Sequence, residues 1–82
     1  MELKELKDKL AIYSVPENSY CLTGGLPNEA YCIKHEVDSW QVYYSERGRR
    51  SELQTFRNEQ AACEYFLAWV IRSTTNTAAD QT

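Results

Sequence analysis

Three observations in this chain of 82 residues predict an α+β fold of two layers, an antiparallel sheet of three or four strands with an N-terminal and a C-terminal helix packed on one face. Leu3, Leu6, Leu10 and Tyr13 recur at three- and four-residue steps, the period of an amphipathic helix. Segments 30–36 and 40–45 are rich in aromatic and branched residues and flank the short polar turn at Asp38-Ser39, as in a hairpin. Ala62, Phe66, Trp69 and Val70, widened by Cys63 and Leu67, form a second helical stripe. Two stripes and one sheet bury each other most simply in two layers around a single core.

The first helix has Glu2, Lys4, Glu5, Lys7, Asp8 and Lys9 on its outer face and should end near Ser14, because Pro16 disfavours helical geometry at Val15. Residues 19–22 suit a short strand. Gly24-Gly25-Leu26-Pro27-Asn28 then forces a turn over 23–29. After the hairpin, residues 45–50 form a second turn with Gly48 holding a positive φ, and residues 51–56 follow as a third strand whose alternation is poor. Asn58 caps the last helix, and Glu59 stands near its positive end. Beyond Arg72 no apolar period continues. The expected organisation is one domain over 1–72 and a mobile tail over 73–82.

Composition narrows the function classes. An apolar share of 43% suffices for a core, yet a chain this short has little stability to spare for a deep cleft of unpaired charges. That weighs against an elaborate enzyme. The longest apolar run, residues 65–71, is far below the roughly 20 residues a membrane span needs. Residues 1–9 alternate charge with leucine and lack the apolar stretch of a secretory signal, so a cytoplasmic location and no membrane partner are expected. Cys21, Cys32 and Cys63, an odd number without paired spacing, suit free thiols in a reducing compartment.

The formal charge of −3 is unevenly distributed. Residues 1–46 carry −4, residues 47–57 carry +3 through Arg47, Arg49, Arg50 and Arg57 against Glu52, and residues 58–82 carry −2. An acidic body with one arginine-rich segment admits two kinds of partner, a basic protein or a phosphate. Arg47 to Arg50 next to Tyr43 and Tyr44 could hold a nucleic-acid backbone and stack bases. The acidic remainder would repel a polyanion, which favours a protein partner over nucleic acid.

Other chemistry is weaker. Cys32 and His35 are three apart on a strand, which sends them to opposite faces, and no CxxC or HxxxH pair completes a zinc set, so no metal or cofactor is expected. The lone His35 has no positioned nucleophile beside it. Glu36 and Asp38 flank a turn, where carboxylates are ordinarily solvated.

Aromatic residues exceed what one thin core requires. Strand alternation sets Trp40, Val42 and Tyr44 on one face and Gln41, Tyr43 and Ser45 on the other, so helices on one face would leave tyrosine in solvent among charges, as at protein interfaces. Exposure and chemistry mark Glu36, Asp38, Tyr43, Glu46, Arg47 and Arg49 as candidate partner-binding residues, on a monomer or weak homodimer.

The string Trp40-Gln41-Val42-Tyr43-Tyr44-Ser45-Glu46-Arg47-Gly48-Arg49, with Leu53, Phe56 and the run from Glu59 to Leu67, resembles small immunity proteins of bacterial polymorphic toxin systems, including those of contact-dependent growth inhibition. Gly24-Gly25-Leu26-Pro27-Asn28-Glu29-Ala30-Tyr31-Cys32 adds to the resemblance, which covers about half of the chain. The resemblance implies a non-catalytic protein that binds a cognate toxin domain in the producing cell's cytoplasm and occludes its active site. Such toxins are often nucleases with basic clefts, which an acidic surface would suit. The alternative is a small nucleic-acid or phosphate-binding module using the Arg47–Arg50 turn.

Overall fold

The computed structural model of the chain describes residues 1–80, the side chains of 74–80 excepted. Helix α1 (Leu3–Ile12) is followed by a 3-10 turn (Glu17–Ser19), strands β1 (Tyr20–Cys21), β2 (Ala30–His35), β3 (Trp40–Glu46) and β4 (Arg49–Phe56), and helix α2 (Glu59–Asp80). The sheet runs β1-β2-β3-β4. The α+β class and the two flanking helices are as the sequence predicts.

One pairing is different. β2–β3 and β3–β4 are antiparallel, but β1 runs parallel to β2, with Tyr20 opposite Tyr31 and Cys21 opposite Cys32. The sheet is therefore mixed. A hairpin turn reverses the chain once, whereas the eight residues 22–29 reverse it twice and return it to β2 in its original direction. Positive φ at Gly24 (82°), Gly25 (87°) and Glu29 (55°) makes this possible in so short a path.

Gly24 is constrained by space as well as by φ. A Cβ there would stand 2.9 Å from Lys34 Cγ, while one at Gly48 (φ 78°) would meet nothing within 4 Å. Gly24→Ala should therefore lose about 1–3 kcal/mol of stability, and Gly48→Ala only the backbone share of about 1 kcal/mol. Urea midpoints compare the two; equal losses would refute the close approach of the loop to Lys34.

Helix α1 stops where Ser14 turns left-handed (φ 61°), with the Val15 N–H donating to the Leu10 carbonyl at 2.9 Å in a Schellman-type end. Its first turn is held by the second helix, since the Leu3 N–H donates to Glu59 Oε2 at 2.8 Å. Asn58 caps α2 as expected, its Oδ1 accepting from the Ala61 N–H at 2.7 Å. The helix continues to Asp80, past Arg72 where the apolar period ends, through a sequence with no glycine or proline to stop it. Residues 81 and 82 of the segment expected to be a tail lie outside the described residues.

The core lies between the helices and one sheet face. Leu6 and Leu10 of α1 and Ala62, Cys63, Phe66, Trp69 and Val70 of α2 pack with Ile33, Trp40 and Val42. Most of the abundant aromatics belong to this layer. The Trp69 ring meets Tyr31 edge-on at 4.7 Å, Tyr31 meets Tyr44 at 4.9 Å, and Phe56 lies 5.2 Å from Tyr65.

Candidate partner-binding surface

The second sheet face is not open, which corrects the expectation of a tyrosine in solvent. In register, Ala30 pairs with Ser45 and Cys32 with Tyr43 on this face, and all four are buried. The loop 22–29 lies across it. The Tyr43 hydroxyl donates to the Gly25 carbonyl at 2.7 Å, and the Arg50 guanidinium sits 5.1 Å from the ring centroid. Burial, more than any neighbouring charge, pushes the Tyr43 phenol above its ordinary pKa. Tyr43 is fully buried and cannot offer its ring to a partner, so it leaves the set of contact candidates.

The five remaining candidates fall at opposite ends of β3. Glu36 and Asp38 lie at the β2–β3 turn, where the Glu36 N–H donates to the Ser39 carbonyl at 2.7 Å. Glu36 is tied to Lys34 (2.9 Å), and this hydrogen-bonded ion pair holds its carboxyl below the usual range. Asp38 is exposed there, beside Val37 at 92% exposure. Glu46, Arg47 and Arg49 stand at the other end, six strand steps or about 20 Å away.

These three line one cleft of about 440 Å³. Glu46 pairs with Arg49 across the hairpin, so Arg47 and Gly48 form a two-residue connection with φ of 52° and 78°. This is the positive-φ pattern of a type I′ turn, for which asparagine rather than arginine is the favoured first residue. Arg47 therefore occupies a strained conformation at a solvent-exposed tip. Asn28 steadies it from the loop, its Oδ1 accepting from the Arg47 N–H at 3.3 Å. The sequence places the positive φ at Gly48 and Asn28 in the turn over 23–29, and nothing local in it links residue 28 to residue 47.

Arg50 differs from its neighbours. It faces back over Tyr43 and reaches Gln41 Oε1 at 3.5 Å. The side chains of Arg47 and Arg49 have no hydrogen bond or ion pair among the described residues and remain available to a partner. A phosphate-binding turn of Arg47–Arg50 with stacking by Tyr43 or Tyr44 thus loses Tyr43 and one guanidinium group to internal packing, and Tyr44 packs edge-on against Tyr31 on the helix-covered face.

β4 borders this cleft and forms one edge of the sheet, exposed from Arg49 through Thr55. Three steps on β4, from Ser51 to Gln54, oppose two on β3, from Tyr44 to Val42, which is a bulge with Glu52 at φ 55°. Bulge and charge together blunt the edge against indiscriminate strand addition. Among the described residues no group of three or more His, Cys, Asp or Glu side chains is placed to hold a metal ion, and no helix is long and apolar enough to cross a membrane. Comparison with protein-family models, curated proteins and solved structures finds no match for this chain.

Proposed function

We propose that the chain is an immunity-type binding protein that neutralises a cognate toxin domain by covering its active site, using the β3–β4 end of the sheet as its principal contact. The class comes from the resemblance of residues 24–32, 40–49 and 59–67 to such proteins. The surface comes from the convergence of Glu46, Arg47 and Arg49 on one cleft at a strained, exposed turn. Arginine anchors of this kind are enriched where interfaces concentrate their binding energy. A complementary partner would set carboxylates against Arg47 and Arg49 and a cation against Glu46, so that charge fixes orientation while contact excludes substrate.

The test expresses the products of the genes adjacent to this chain's gene, one of which should arrest growth as a toxin domain, and then asks whether this chain protects those cells. Co-expression of the intact chain should restore growth, Glu46→Lys should reduce protection, and Asp38→Lys at the far end of β3 should leave it intact. Equal loss from both variants would contradict the assignment to one end. Growth arrest despite abundant folded chain would contradict the function itself.

A further inference from the structure

Two of the three cysteines form a pair that the partner-binding reading does not use. Cys21 and Cys32 are direct register partners on the parallel strands β1 and β2, eleven positions apart in sequence. Neighbouring strands lie about 4.8 Å apart, inside the window of about 4.4–6.8 Å between α-carbons that a disulfide requires. Both side chains belong to the face closed by the loop 22–29, close enough for the charge on Cys21 to add to the burial that raises the Cys32 thiol.

We propose that Cys21 and Cys32 are a reversible dithiol site that accepts a low-molecular-weight disulfide of the glutathione type and closes to an intramolecular disulfide. The two thiols have unequal roles. Cys21 is half-buried, with its S–H donating to the Gly24 carbonyl at 3.0 Å and its sulfur 3.3 Å from Thr23 Oγ1, and it is the sulfur a reagent can reach. Cys32 is buried beside Tyr43, and burial pushes its thiol up to about 11. It stays protonated at neutral pH and does not react first.

In the first step Cys21 gives its proton to solvent and the resulting thiolate attacks one sulfur of oxidised glutathione. The S–S bond breaks, one glutathione thiolate leaves, and Cys21 carries a mixed disulfide. In the second step Cys32 gives its proton to solvent and attacks Cys21 Sγ, expelling the second glutathione thiolate. Two protein thiols and one glutathione disulfide become one protein disulfide and two glutathione thiols. With only two thiols and no third ligand group nearby among the described residues, the pair suits this exchange better than a metal. Closure ties the two-residue edge strand β1 to the body of the sheet and fixes the start of the loop that covers Tyr43.

The experiment equilibrates the reduced full-length chain with glutathione buffers of increasing disulfide fraction, quenches with acid, and counts free thiols by alkylation under denaturing conditions and intact mass. The count should fall from three to one, with a chain two hydrogens lighter, and reduction should restore three. Peptide mapping should leave Cys63 as the alkylated residue. Cys32→Ser should stop at a stable glutathione adduct on Cys21, and Cys63→Ser should close like the original chain. Three free thiols at every ratio, a glutathione adduct that persists in the original chain, or a disulfide that includes Cys63 would each overturn the proposal.

Discussion

Replacing Tyr43 by alanine is expected to remove about 3–5 kcal/mol of stability, against a total of roughly 4–12 kcal/mol for a chain of this length. The magnitude follows from position. Tyr43 is fully buried in the middle strand pair, opposite Cys32, on the face that the helices do not reach. Its ring fills the space beneath the loop 22–29 and its hydroxyl fastens that loop through the Gly25 carbonyl. Tyr43→Phe keeps the ring and removes only the bond, for a loss of about 1 kcal/mol. Urea midpoints for the pair separate packing from hydrogen bonding. An unchanged midpoint in the alanine variant would mean that the loop does not close the second face.

Reversing both charges in Arg47→Glu/Arg49→Glu is expected to weaken the proposed complex with a toxin domain at least a hundredfold, or about 2.7 kcal/mol, while leaving the fold intact. Both side chains are exposed at the β3–β4 end and hold nothing else in place among the described residues. The Arg47 N–H bond to Asn28 is a backbone bond and survives the substitution. Two guanidinium groups lost and two carboxylates gained at one site turn attraction into repulsion. A matched melting temperature shows that the effect is on binding; similar affinity would remove the turn from the interface. Arg50→Ala provides the contrast, because its guanidinium lies over Tyr43 and reaches Gln41, so its loss should lower stability.

The fold was legible wherever a local pattern has one structural meaning. The stripes of α1 and α2, the Asn58 cap and the β2–β3 hairpin follow from spacing and capping chemistry, and they appear within a few residues of expectation. β4 was the strand with poor alternation, and the bulge at Glu52 explains why: one extra residue shifts the inward and outward positions halfway along. The direction of β1 was not legible, since alternation in two residues carries no sign of parallel or antiparallel pairing. The same missing information misplaced Tyr43. Its face was assigned correctly by alternation, but only the path of residues 22–29 determines that this face is covered. For the site, residue type and exposure selected Glu46, Arg47 and Arg49, and they share a cleft. Glu36 and Asp38 met the same criteria yet lie a strand's length away, a separation visible only once the register of β3 is known.

In the proposed function, the β3–β4 end of this sheet grips a toxin domain. The decisive measurement is calorimetric titration of the purified full-length chain into the domain, from a gene adjacent to its own, whose expression arrests growth. A one-to-one complex is expected, at least a hundredfold weaker with Arg47→Glu/Arg49→Glu and unaffected by Asp38→Lys. No heat of binding, or equal affinity for the original chain and the Arg47/Arg49 variant, would contradict it.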